Sequence, residues 1–264
     1  MIKQVDESPL EMIKLQGALD TLAFANRTIY VYTPPSYSKE ESSRFPSVIV
    51  QDGNYLFVDS MSALEADFAS GVTEEVIFIG IEPLEHNREY TPWRADNLMN
   101  DGGFYDGEGD VYLNMVTEGI MPYVRARYRI IEYAAQTGIT GASFGGLISL
   151  YAAFQKPEFF GRFALMSSSL WYENIMDFVE QHAFTQSDMR IYMYVGEQEG
   201  VGRTIIQQFT VPNTRKAYDL LSQKIPGGRD CIRLETDPEG LHLHSYFNAN
   251  FPRAIRFIYP GAKK

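Results

Sequence analysis

The sequence has one cysteine, Cys231, among its 264 residues. A single thiol excludes an internal disulfide framework and fits a reducing compartment. No apolar run approaches the roughly twenty residues that a membrane-spanning helix needs. The N-terminal stretch MIKQVDESPLEMIKLQG mixes charged and apolar side chains and has no apolar segment of a secretory leader. With Met1 as the natural start, cytoplasmic residence is the expectation. Basic residues are also scarce, 23 Lys and Arg against 34 Asp and Glu, for a net charge of −11. That balance argues against nucleic acid or an anionic membrane as partner, since either would want a basic face. Repeats, low-complexity tracts and Pro/Gly/Ser linkers are missing too. One domain spanning residues 1–264 is therefore expected, and the sequence carries no signal of oligomeric state.

What is present is an alternation. Short runs rich in Val, Ile and Tyr, namely TIYVYTP from Thr28, PSVIVQDG from Pro46, EEVIFIGIE from Glu74 and MRIYMYVGE from Met189, end in Gly, Pro or acidic turns. Between them SALEADFAS, DVYLNMVTEGIMPYVRARY and GGLISLYAAFQ carry apolar residues at helical spacing, and NANFPRAIRFIY reads as a closing helix. Strands alternating with helices predict an α/β domain whose mostly parallel central sheet is covered by helices on both faces. One stretch breaks the rhythm, a long insertion at about 83–110, from Pro83 to Asp110. Long loops in compact domains commonly supply binding groups. Here Arg88, Tyr90, Trp93 and Arg94 are candidates to grip a ligand, against the alternative of a solvated insertion.

Gly141-Ala142-Ser143-Phe144-Gly145 follows a short run that can be a strand and opens a clear helix. This is the G-x-S-x-G nucleophile elbow in the context it demands. The glycines allow a tight turn where Cβ atoms would collide with strand and helix, and the turn lifts the serine hydroxyl above the sheet. The next amide, that of Phe144, lies at a helix N-terminus, where it can stabilise an oxyanion. The plainer use of such a segment is a glycine-rich turn with an N-capping serine.

A nucleophilic serine needs a base and an orienting acid, and in this chain order both come later, each just after a strand. After RIYMYVG comes EQEG, which offers Glu197 and Glu199. Asp188 precedes that strand, at the wrong end of a parallel sheet. After DCIRLET, from Asp230, comes DPEGLHLHS, which offers His242 and His244. A base takes the Ser143 proton through one ring nitrogen while the acid holds the other. An H-x-H pair can also share a metal, but His86, His182 and Cys231 have no spacing that would supply the third ligand. No metal and no organic cofactor is expected.

With these residues in place the sequence resembles an esterase family of α/β-hydrolases. That family includes enterochelin-type siderophore esterases, S-formylglutathione hydrolases, feruloyl and acetyl-xylan esterases and mycolyltransferases. The resemblance runs from about Thr28 to Tyr259 and is carried by YVYTPPSY, VIVQDGNYLF, NREYTPW, YLNMVTEGIMPYVRARYRI, GITGASFGGLISLYAAFQKPEFFGRFALMSSSLWY and VGEQEG. It implies an α/β-hydrolase fold and an oxyanion-hole amide from the residue after Asp52-Gly53, which is Asn54, beside that of Phe144. The family's acid ends a G-x-x-[DE] turn, which points to Glu199. Its histidine stands five residues before an aromatic and ahead of an apolar-proline pair that opens the last helix. Phe247, Phe251 and Pro252 in those places point to His242, with His244 beside it in the pocket. The aromatic is usually Trp and is Phe here, and an HSY sequence in one branch would favour His244.

The expectation is a serine esterase acting on a small-molecule carboxylic ester through an acyl-enzyme. A siderophore, a short-chain acyl ester or a carbohydrate ester are the candidate substrates. Trp171, after a strand that should end near the site, ranks first among the aromatics as a pocket residue. Acyl transfer with the same three residues, and a non-catalytic binding module of the same fold, are the competing readings.

Overall fold

The computed structural model describes residues 15–99 and 102–262. Among them eight strands form one sheet: β1 (Ala18–Phe24), β2 (Arg27–Thr33), β3 (Ser47–Gln51), β4 (Ile77–Ile81), β5 (Thr137–Ala142), β6 (Arg162–Met166), β7 (Arg190–Gly196) and β8 (Ile232–Asp237). Their spatial order is β1-β2-β4-β3-β5-β6-β7-β8. β1 pairs antiparallel with β2, and β2 antiparallel with β4; every later neighbour is parallel. The β1–β2 hairpin closes through Ala25 and Asn26, at φ 46° and 63°. Two positive φ values match the right-handed twist of the flanking strands.

The central strands β3, β4 and β5 are buried at every residue, and β3 and β4 carry continuous apolar stretches at 48–50 and 77–81. Alternate side chains serve two cores. Val48, Val50 and Phe78 face one that includes Leu64 of helix α1 (Met61–Ser70) and Phe251 of the closing helix. Ile49, Ile77 and Ile79 face the other. Its helices include α2, whose stretches Gly109–Asn114, Met115–Ile120 and Met121–Arg125 run on without a break, α3 (Phe144–Gln155) and α4 (Thr210–Lys224).

The insertion is less irregular than expected. It holds a helical turn at His86–Glu89 and a ribbon pairing Ala95–Asp96 with Phe104–Tyr105. A buried two-pronged pair, Arg27 Nη1 and Nη2 with the Glu89 carboxylate at 2.8 and 2.6 Å, ties that turn to β2.

The closing helix α5 (His244–Ile258) also departs from expectation, since Pro252 lies inside it rather than at its start. Proline lacks the N–H that would bond the Asn248 carbonyl. The Ser60 hydroxyl lies 2.8 Å from that oxygen and 2.7 Å from Leu56 O, so its one proton serves the two between them. The helix begins at His244 and carries that residue at its first position. Because the central strands are parallel, the loops after β3, β5, β6, β7 and β8 gather at one edge of the sheet.

Candidate active site

Ser143 stands between β5 and α3 at φ 55°, ψ −118°, a backbone conformation that costs about 1–3 kcal/mol. Its surroundings hold it there. The Ser143 N–H donates to Met166 O at 3.0 Å, and its carbonyl accepts from Leu147 N and Ser169 N, both at 3.0 Å. A Cβ on Gly141 would come within 2.6 Å of the Gly145 carbonyl carbon and 2.8 Å of Gln51 Cβ. Only glycine lets strand and helix approach so closely. Phe144 opens the helix, and its amide has no acceptor among the described residues.

Of the two glutamates in the turn after β7, Glu197 pairs at the surface with Arg215 at 2.8 Å. Glu199 turns inward, its side chain 2% exposed, and Oε2 lies 2.7 Å from His242 Nδ1. Its other oxygen accepts the Gly196 N–H at 3.0 Å and the Ser167 hydroxyl. An ionised carboxylate only accepts, so Nδ1–H of His242 is the donor and Nε2 is left for another partner. The loops carrying the two residues cross glycine on glycine: a Cβ on Gly240 would lie 2.6 Å from Gly196 Cα. That approach brings Gln198 N within 3.0 Å of Gly240 O and sets the histidine loop against the glutamate turn.

Ser143, His242 and His244 border one cavity of about 460 Å³, with Asp52, Tyr55, His86 and Phe247 among the other walls. The Ser143 hydroxyl is bonded to Ser169 Oγ at 3.2 Å rather than to His242; such contacts often close only when substrate binds. The two imidazoles of the H-x-H pair take different partners. His242 packs edge-on to Phe247, while His244 stacks on Tyr55 with ring centres 4.3 Å apart. Residues 24–258 match the family model described as "Putative esterase".

The chain belongs to this esterase family. It is a hydrolase of carboxylic esters with the α/β-hydrolase fold. The esterase is 33% identical over 245 residues to the Bacillus subtilis protein YbbA, itself uncharacterized, covering 93% of this chain and 97% of that one. It is 27% identical over 174 residues to the siderophore triacetylfusarinine C esterase of Aspergillus fumigatus, covering 60% of this chain and 56% of that enzyme. Among solved structures, the IroE-like serine hydrolase of Shewanella oneidensis superposes with a TM-score of 0.75 at 18% identity, covering 91% of this chain and 79% of that one. Among the described residues no helix is long and apolar enough to cross a membrane.

The residues expected to grip substrate divide. Trp171 lies with Arg203 and Gln207 along a smaller pocket that His242 also borders, and its ring packs on Phe144 at 5.5 Å. His244 is on the Ser143 cavity. Arg88, Tyr90 and Trp93 are not among the walls of that cavity. Arg88 is held by Glu108 at 2.5 Å and Glu85 at 3.3 Å over a separate surface cleft. Tyr90 is fully buried, its oxygen accepting the Asp52 N–H at 3.0 Å. Trp93 donates to Glu173 O at 3.0 Å and packs on Tyr151 and Phe178. Arg94 stands over the Phe104 ring at 4.2 Å. In each case packing or pairing with another part of the protein uses the side chain. Asn54 sits between the cavity residues Asp52 and Tyr55, and its amide has no acceptor among the described residues.

Two cavity residues escaped the sequence reading. Asp52 is held at φ 60°, and His86 Nε2 stands 3.4 Å from its Oδ1. Burial pushes the Asp52 carboxyl up to about 6; His86 opposes the rise, Glu82 adds to it and His244 opposes it. The acidic turn QDGN was a visible signal for Asp52. Nothing in the spacing marks His86 as its neighbour.

Proposed function

We propose that the esterase works through an acyl-enzyme on Ser143, with His242 as base and then acid and Glu199 as the group that orients it. The observation that carries this reading is the bond of His242 Nδ1 to the buried Glu199, with the ring bordering the same cavity as a serine in an elbow conformation. His242 takes the Ser143 proton through Nε2 as Oγ attacks the ester carbonyl. Glu199 stabilises the imidazolium. The amides of Phe144 and Asn54, both without an acceptor among the described residues, receive the tetrahedral oxyanion. Collapse expels the alcohol with the proton from His242, and a water activated in the same way releases the acid.

For the ester itself we propose a siderophore, whose hydrolysis would release iron inside a reducing, cytoplasmic compartment that accords with the lone Cys231. The support is the naming of relatives as siderophore triacetylfusarinine C esterase in Aspergillus fumigatus and iron(III) enterobactin esterase in Dickeya dadantii. The chain spans about half the length of those enzymes, 56% and 48%. The test has two parts. Ser143→Ala should abolish both p-nitrophenyl acetate hydrolysis and fluorophosphonate labelling; full labelling of the variant would remove Ser143 from the mechanism. A screen of ferric siderophores, feruloyl esters, acetylated sugars and p-nitrophenyl esters should then show the highest kcat/KM on a siderophore. A higher value for any other class reassigns the substrate.

A further inference from the structure

Three consecutive serines follow β6. Ser167, Ser168 and Ser169 are 0, 2 and 1% exposed. A run of buried hydroxyls is costly unless each finds a partner. Among the described residues Ser168 Oγ has none. Its two neighbours do, and both partners belong to the machinery proposed above.

Ser167, at φ 48°, donates its hydroxyl to Glu199 Oε1. Ser169 Oγ lies 3.2 Å from Ser143 Oγ. The main chain of the same loop is bonded on both sides. Ser167 N donates to Tyr194 O on β7 at 2.7 Å, Ser169 N to Ser143 O at 3.0 Å, and Ser143 N to Met166 O at 3.0 Å. One short loop therefore reaches the acid with its first serine and the nucleophile with its third. The one between bonds to neither.

Resting on the reading of Ser143 and Glu199 as nucleophile and acid, we propose that Ser169 is a positioning residue for the Ser143 hydroxyl and Ser167 one for the Glu199 carboxylate. Glu199 Oε1 is occupied by two donors, the Gly196 N–H and Ser167, so that Oε2 alone faces His242. Hydrogen bonds to a carboxylate are stronger than neutral ones, so Ser167 fixes the plane of the acid and with it the ring it holds. At the other end either hydroxyl of the Ser143–Ser169 pair can donate. When Ser143 directs its proton to His242 Nε2, Ser169 becomes the donor to a lone pair of Ser143 Oγ. The proton passes to Nε2 as Oγ bonds the carbonyl carbon and goes on to the departing alcohol; a second proton, taken by Nε2 from the attacking water, reaches Oγ when the acyl group leaves. Ser169 keeps its own proton throughout and steadies the oxygen on both occasions.

The three serines supply their own control. Ser167→Ala, Ser168→Ala and Ser169→Ala are compared for kcat and KM on p-nitrophenyl acetate, for the rate of fluorophosphonate labelling and for Tm. Ser169→Ala should lower kcat and the labelling rate about tenfold with KM within about twofold, and Ser167→Ala about tenfold to a hundredfold. Ser168→Ala should keep the wild-type rates. Ser169→Cys and Ser167→Cys, which keep the shape and a weak donor, should recover part of each loss and remain informative if an alanine variant does not fold. Wild-type kcat in Ser167→Ala and Ser169→Ala, or an equal loss in Ser168→Ala, overturns the proposal. Ser143→Ala, run in parallel, separates the failures. If it still labels, the nucleophile assignment falls and takes this inference with it. If it is silent while Ser169→Ala labels at full rate, this inference alone falls.

Discussion

His242 Nδ1 and Glu199 Oε2 lie 2.7 Å apart, the carboxylate 2% exposed and the imidazole 35% exposed. The buried partner is thus the fixed one, and the ring is held from behind while its free edge meets the cavity. Neither loop makes this pair alone, because the contact exists only where Gly196 and Gly240 cross.

His244 shares the cavity but not the carboxylate, since its ring lies on Tyr55. His242→Ala should therefore reduce kcat by about a thousandfold or more, and His244→Ala by less than about tenfold. Steady-state rates on p-nitrophenyl acetate decide it, and the reverse ranking would exchange the two roles.

The two glutamates should separate as cleanly. Glu199→Gln keeps the shape and removes the charge that the proposed mechanism sets against the imidazolium, and a drop of about 10³–10⁴ in kcat is expected. Glu197 makes an exposed pair with Arg215, of a kind worth about 0–1 kcal/mol. Glu197→Gln should leave kcat within about twofold and Tm nearly unchanged.

Gly240→Ala tests the crossing. Its Cβ would stand 2.6 Å from Gly196 Cα and 2.8 Å from Tyr194 Oη, which forces the histidine loop away from Glu199. A stability loss of about 1–3 kcal/mol is expected from the overpacking. A fall in kcat of more than about a hundredfold should accompany it, because small misplacements of a positioned group are costly. Denaturant melts and kinetics on the same preparation separate the two effects.

Asp52 should leave a mark on the pH dependence of stability. Its folded-state carboxyl stands at about 6, above the ordinary value near 4. The folded chain therefore holds this proton more tightly than the unfolded chain does. The stabilisation is complete below about pH 4 and is lost as pH rises through about 6. Asp52→Asn should gain on the wild type by on the order of 2–3 kcal/mol between pH 4 and pH 7. Chemical denaturation at several pH values measures the difference, and a flat difference would falsify the assignment.

The chain order of strand, serine turn, strand, glutamate turn, strand and histidine loop is written in local patterns. β5 is the short run ahead of the G-x-S-x-G turn and β7 a Val-, Ile- and Tyr-rich run that ends in a Gly-bearing turn, and a serine, two glutamates and two histidines stand in those turns and after β8. Their mutual distances are not written there. Ser143 and Ser169 are 26 positions apart and Ser167 and Glu199 are 32 apart, so no periodicity relates them. The edge strand β1 is harder to read: its residues are only exposed or half-buried, and just Leu19, Leu22 and Phe24 of its seven pack on the cores.

The insertion shows the limit most plainly. Arg88, Tyr90 and Trp93 look like ligand-gripping side chains in sequence, yet the same chemistry serves ion pairing and aromatic packing. Which use prevails depends on what lies across from each, and that is a matter of three-dimensional neighbours. Sequence by itself determined the parallel core, through apolar runs that only a sheet covered on both faces can bury, and the turn at Ser143, through glycines that only a close strand-helix approach requires. The family resemblance favoured Glu199 over Glu197 and His242 over His244, but only the tertiary structure brings that glutamate against that histidine and puts Asp52 and His86 in one cavity. Each of these rests on loops from different strands coming together at one sheet edge, and hydrogen bonds of that range follow from the packed fold rather than from neighbouring residues.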